Sequence, residues 1–350
     1  MTTRVCRLHG KGDIRVDEIE VAEPGHGEVL VAMGAGGICG SDLHYYQDGG
    51  FGPIRVKEPI ILGHEVAGTV CATGSGVDGL SVGDRVAVNP SRPCNHCRYC
   101  LQGLQQHCLT MRFFGSALRF PHEQGGFRDL MIVNAYQCVR LENDEVTLGE
   151  AACAEPLAVC LHALNRAGAS AGNLAGKTVL VTGAGPIGAL TVAALRHAGA
   201  GHIVVTDLQD MPLAVARQLG ADETINTRTE PERLARYEAD KGTFDVTFEC
   251  SAAAPAIRSA IAATRPTGTL VAVGVSGDVP VPLNLIVGKE IAFVGSHRFV
   301  GEYATAAKLI DQRRIDVRPI ITGSKDLADA QSAFQIAGDR TQTIKMQLTF

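Results

Sequence analysis

The chain has 350 residues, 45% of them hydrophobic and 20% charged, enough for two soluble globular domains with a core each. Its formal net charge of −5, with no long basic run, argues against nucleic-acid binding. No apolar signal region opens it and no window of 18 apolar residues occurs, so a cytoplasmic protein without a membrane span is expected. Up to about residue 36, apolar and polar residues alternate in short runs such as Ile14-Arg15-Val16, broken by Pro24, Gly25 and Gly27, which predicts short strands. The same texture returns at 66–70, 83–88 and 127–133. Roughly the first 150 residues therefore read as β-rich, with the polar motifs on connecting loops. Near residue 155 the pattern changes. Strand candidates at 177–182, 202–206, 244–248 and 270–273 alternate with helix candidates at 186–197, 213–219 and 256–263, as in a doubly wound parallel sheet. Past Gly295 come a helix candidate at 303–312 and a strand-like end at 344–350.

Eleven cysteines in a reducing compartment point to metal binding ahead of disulfides. Cys94, Cys97, Cys100 and Cys108 are spaced C-x2-C-x2-C-x7-C, and four thiolates from one short loop make a closed tetrahedral zinc site with a structural role. A second group is more dispersed. Cys39 lies in the glycine-flanked stretch 37–44 and His64 in Gly63-His64-Glu65. A thiolate, an imidazole and a carboxylate, from Glu65 or Glu155, are the ligand types of a catalytic zinc with one position open. The third group is Gly183, Gly185 and Gly188, with Pro186 and Ile187 between them. It fits G-x-G-x-x-G between a strand and a helix, where the backbone approaches a dinucleotide pyrophosphate. Asp207 ends the next strand and is followed by Leu208 and Gln209 rather than arginine. A carboxylate there bonds the ribose hydroxyls and repels a 2′-phosphate, so NAD is expected over NADP.

In this order, the stretches 37–44 and 63–65, the four-cysteine loop and the glycine turn resemble those of the zinc-dependent medium-chain alcohol dehydrogenases, over essentially the whole chain. Glu155-Pro156-Leu157 resembles the polyol branch of that family, where simple alcohol dehydrogenases usually have a cysteine. Within that branch, the stretches 111–117, 120–122 and 125–127 resemble enzymes of a sugar acid. The resemblance implies an α/β plus β fold. A GroES-like β-rich catalytic domain would span 1–155 and be completed by 297–350, with a Rossmann doubly wound parallel sheet inserted at 156–296. It also implies one catalytic and one structural zinc, NAD, and a homodimer or homotetramer formed through the Rossmann sheet.

The implied reaction takes a secondary alcohol of a sugar acid to a ketone. Zinc lowers the pKa of the substrate hydroxyl and the hydride passes to the nicotinamide. A sorbitol- or xylitol-type polyol is the alternative substrate. A non-catalytic protein on the same scaffold is the remote alternative, disfavoured because Cys39, His64 and the glycine turn are all present. Ser41 and His44 match the family's proton relay, with Glu65 beside the metal. Tyr45 and Arg298 match substrate-contacting positions. Arg112, Arg119 and Arg298 are the candidate cations for the substrate carboxylate. Pro212 stands where sorbitol-type enzymes often carry a basic residue against the adenine.

Overall fold

A computed structural model of the chain describes residues 1–168, 174–275 and 277–350. Period-2 alternation produces strands wherever one face can be buried. β1 (Thr2–Gly10) and β2 (Asp13–Glu20) form an antiparallel pair. β3 (Glu28–Gly37) follows, and then the chain departs from expectation. The stretch predicted to be a loop is a helix, α1 (Gly40–Asp48), so Ser41, His44 and Tyr45 are held on helix rather than on loop. Residues 40–48 carry no apolar stripe, which is why periodicity misses them. The legible signal is a capping box: Cys39 is the N-cap, and the Asp42 carboxylate accepts from its backbone N–H at 3.0 Å. Gly49, with φ 68°, ends the helix in the left-handed region.

β4 (Glu65–Thr73), β5 (Arg85–Val88), the short β6 (Arg112–Phe113), β7 (Leu130–Asn134) and β8 (Cys138–Arg140) continue the first unit. α2 (Ala154–Arg166) then leads to the alternating region: β9 (Thr178–Thr182), α3 (Pro186–His197), β10 (His202–Asp207), β11 (Glu223–Asn226), β12 (Phe244–Glu249), β13 (Thr264–Ala272) and β14 (Ala292–Gly295). These six strands are all parallel, in the order β11-β10-β9-β12-β13-β14. That is the 3-2-1-4-5-6 order of a dinucleotide-binding sheet, whose direction of winding reverses between β9 and β12. Leu180, Val204, Ile225 and Phe244 form one core cluster of this unit and Ile257, Ile261 and Leu270 another.

The chain returns with β15 (Ile321–Asp326), α4 (Ala330–Ala337) and β16 (Lys345–Thr349). β16 runs antiparallel to β3 and parallel to β15, completing a seven-stranded sheet ordered β8-β5-β4-β3-β16-β15, with β7 also on β3. Phe127, Leu62, Val66, Phe334 and Leu348 lie in the core of this first unit. Two units result: 1–155 with 303–313 and 321–350, and 156–302 with 314–320. No helix of the described residues is long and apolar enough to cross a membrane.

Candidate active site

The register of the first sheet sets up the site. β3 pairs with β4 so that Gly37 faces Glu65, and with β16 so that Gly37 faces Gln347. A Cβ on Gly37 would lie 2.2 Å from Glu65 Oε2, so only glycine leaves room for this carboxylate. Cys39 follows at the start of α1, and His64 immediately precedes β4. The ligand atoms of Cys39, His64 and Glu65 all lie within 4.8 Å of one another, a spacing that suits three donors around one ion. The donor set is a thiol, an imidazole and a carboxylate, and it fits zinc.

Two residues that sequence reasoning missed organise these donors. Asp42 is fully buried, accepts from the N–H groups of Cys39 at 3.0 Å and Gly63 at 3.4 Å, and stands 3.7 Å from His64 Nδ1. It ties both ligand-bearing segments together and leaves His64 Nε2 for a metal, the arrangement by which a carboxylate fixes a ligating imidazole. Burial raises the Asp42 carboxyl, and the nearby His64 and the donated N–H groups oppose that rise. Lys345 is the other. Its Nζ donates to both Glu65 oxygens, at 2.8 and 2.7 Å, and to the Ile38 carbonyl at 3.2 Å. Burial works to lower its pKa, but Glu65 and Cys39 outweigh that and the net shift is upward.

Glu155 is buried, and no hydrogen bond to another described residue fixes its carboxylate. Burial pushes it up to about 8, with Glu65 and Cys39 adding to the rise and His64 and Lys345 opposing it. Burial and Glu65 likewise push the Cys39 thiol up to about 11. A buried carboxylate without a partner is costly unless a cation meets it, so the chemistry of the set calls for a positive ion.

The predicted relay residues share a helix face, since Ser41 and His44 are three positions apart on α1. Ser41 is half-buried, whereas the His44 side chain is 47% exposed, with Nδ1 3.1 Å from Asp48 Oδ2 and its ring against Phe51. Tyr45 is buried, and its hydroxyl accepts from the Ala117 N–H at 3.2 Å. The arginines divide. On β6, Phe113 packs against the His64 ring, so strand alternation turns its neighbour Arg112 to the opposite face. There Arg112 pairs with Glu123 at 2.8 Å. Arg119 donates to the Met111 and Leu109 carbonyls and braces the loop after the four cysteines. Both arginines also line one open pocket, with Leu109, Leu118 and Phe120. Arg298 lies in the second unit, half-buried, with φ 54° in the left-handed region. Non-glycine residues seldom adopt that region, and it recurs at functional sites.

The four-cysteine lobe is closed at its base by the pairing of β6 with Ser91–Arg92. All four sulfurs lie within 4.8 Å of one another, with Cys97–Cys100 at 3.6 Å and Cys94–Cys100 at 4.0 Å. A tetrahedron with Zn–S bonds of about 2.3 Å separates its sulfurs by about 3.8 Å. Backbone N–H groups of Cys94, Cys97 and Thr110 point at these sulfurs, as thiolates require. The lobe fits a structural zinc.

In the second unit the three glycines do three different things. Gly183 has φ 85° and makes the turn. Gly185, the N-cap of α3, has open space where a side chain would stand, leaving the backbone accessible to a phosphate. A Cβ on Gly188 would meet the Gly183 carbonyl oxygen at 1.8 Å, so glycine there allows helix and turn to pack. With Pro186 at N1, the Ile187 and Gly188 N–H groups lie in the first turn, where an α-helix has no internal acceptor for them. Asp207 accepts from Ala184 N at 2.7 Å, Leu208 N at 2.7 Å and Gln209 N at 3.0 Å. It therefore braces the glycine turn, in addition to the ribose role read from its position.

Comparison with known proteins follows the same division. A family model for the alcohol dehydrogenase GroES-like domain matches residues 25–143, and one for zinc-binding dehydrogenases matches 186–312. The chain is 40% identical to L-idonate 5-dehydrogenase (NAD(P)(+)) of Escherichia coli K12, over 99% of each chain. It is 37% identical to sorbitol dehydrogenase of Gallus gallus, over 97% of this chain and 94% of that one. The crystal structure of the Escherichia coli L-idonate 5-dehydrogenase superimposes with a TM-score of 0.94 at 39% identity, covering 100% of this chain and 99% of the other.

Proposed function

The chain belongs to the zinc-dependent medium-chain alcohol dehydrogenase family, and from that membership we propose that it oxidises a secondary alcohol of a sugar acid to a ketone with NAD. The substrate we assign is L-idonate, oxidised at C5 to 5-keto-D-gluconate. The observation that carries the assignment is the 40% identity with an L-idonate enzyme along 99% of both chains.

Cys39, His64 and Glu65 are the donors for the catalytic zinc, with Glu155 as the neighbouring carboxylate, and Cys94, Cys97, Cys100 and Cys108 hold the structural one. When bound, the catalytic ion supplies Lewis acidity that lowers the pKa of the substrate hydroxyl. Lys345 offsets the negative charge of Glu65 and holds it in place. Asp42 orients Cys39 and His64. Ser41 and His44 carry the released proton outward, a role supported by their shared helix face and by the exposure of His44. The Ile187 and Gly188 N–H groups receive the pyrophosphate, and Asp207 receives the adenosine ribose in preference to a phosphorylated one. Tyr45 shapes the substrate side by holding Ala117. The cation for the sugar-acid carboxylate is one of Arg112, Arg119 and Arg298, the three candidates that the sequence offers.

The reading includes a cytoplasmic homodimer or homotetramer. Phe293 on the edge strand β14 is 41% exposed, and an open apolar edge of this kind favours strand pairing with a second copy.

Initial rates of cofactor reduction by zinc-loaded protein, with L-idonate, sorbitol, xylitol and threonine and with NAD or NADP, test the proposal. L-Idonate with NAD is expected to exceed every other pairing by at least about tenfold in kcat/KM, the factor that about 1.4 kcal/mol of discrimination supplies. A preference for sorbitol or xylitol would transfer the assignment to the polyols.

A further inference from the structure

Arg92 and Arg112 are cross-strand partners on the short ladder at the base of the cysteine lobe. Two like charges directly opposite each other are unfavourable, and here Glu123 bridges both guanidinium groups. A third guanidinium, Arg128, lines the same cleft of about 400 Å³, together with Glu20 and His122. Arg128 donates Nε to the Gly125 carbonyl at 2.9 Å, and the carboxylate that acts on it is again Glu123. Burial, with a contribution from Arg7, pushes its guanidinium down to about 10. Arg92 Nε is buried and has no hydrogen-bond acceptor among the described residues. His122 is already committed: its Nδ1 bonds the Arg119 carbonyl and its Nε2 accepts from Lys57 N. The cleft therefore holds three fixed positive charges against Glu123 and the exposed Glu20, with guanidinium donors converging on it from separate segments. It lies on the face of β6 opposite the one that Phe113 presents to His64.

Arg92 and Arg128 are half-buried and Arg112 is exposed, and a single carboxylate, Glu123, is the ion-pair partner of both Arg92 and Arg112, so positive charge exceeds negative charge around the cleft. Glu123 accepts one nitrogen from each of Arg92 and Arg112, one on each of its oxygens. Donors arriving from three segments suit a tetrahedral anion with several equivalent oxygens better than a second planar carboxylate. We propose that this cleft is a binding site for a phosphate group, borne by a small metabolite or free in solution, separate from the Cys39–His64 centre. Nothing in the reaction assigned above calls for it, so the proposal stands whether the substrate is a sugar acid or a polyol.

Titration calorimetry of the zinc-loaded full chain with inorganic phosphate, against chloride at equal ionic strength, tests it. Binding of one phosphate per chain is expected, unaffected by saturating NADH. Arg128→Gln should weaken it at least tenfold, and Arg92→Gln should do the same if the first variant folds poorly. Glu123→Gln removes the competing charge and should tighten binding several-fold, a gain that no folding defect produces. Absence of phosphate heat would overturn the proposal. So would displacement by NADH, which would put the ion at the glycine turn, or an affinity that these substitutions leave unchanged. A phosphorylated sugar binding at least tenfold more tightly than inorganic phosphate would identify a metabolite as the source of the anion. Equal affinities would identify free phosphate.

Discussion

Replacing Cys39 by serine is expected to lower the zinc content from two ions per chain to one and to reduce kcat/KM at least about 10³-fold, since Lewis-acid activation contributes several kcal/mol and each 1.4 kcal/mol is tenfold. The fold should survive. Serine is a preferred N-cap, so α1 keeps the start that Cys39 and Asp42 now give it. What is lost is the thiolate among three donors lying within 4.8 Å. NADH binding should be unchanged, because the glycine turn and Asp207 belong to the other unit. Two retained zinc ions, or activity within tenfold of the parent, would remove Cys39 from the site.

The second large effect falls on stability. Lys345→Met preserves much of the side-chain volume but leaves the Glu65 carboxylate without the ammonium that bonds both of its oxygens. Both side chains are 2% exposed. Breaking such a buried pair from one side costs about 3–5 kcal/mol, whereas removing both charges costs little or nothing. Denaturant unfolding of Lys345→Met should therefore show a loss of about that size, and adding Glu65→Gln should recover most of it. A single variant within about 1 kcal/mol of the parent would mean that Glu65 does not depend on Lys345.

These two residues mark what the sequence reveals and what it hides. The four cysteines and the glycine turn are legible because each is local: the ligands or donors lie within a few residues, and spacing alone brings them together. Cys39 and His64 are legible because their residue types are chemically unusual among glycines. Asp42 has a local signal, three positions past its N-cap, but its role depends on His64 coming within 3.7 Å through the pairing of β3 with β4. Lys345 has none. It is one lysine in a short terminal strand, and only the pairing of β16 with β3 carries it to Glu65, 280 residues away. Arg112 and Arg119 show the converse. Read as letters they are cations in a suggestive stretch; what the sequence does not show is that strand pairing gives Arg112 the Glu123 carboxylate and that Arg119 donates to two backbone carbonyls. The helix α1 escaped because its residues lack an apolar stripe; its tertiary contacts, not its periodicity, make it helical.

The central claim is that hydride leaves C5 of L-idonate for NAD on this protein. The most direct measurement uses L-idonate deuterated at C5, with NAD and zinc-loaded protein, and mass analysis of the reduced cofactor. Deuterium in the cofactor, equal in amount to the ketone formed, is the predicted result. Reduced cofactor without label, or a sugar acid that keeps its deuterium, would contradict it.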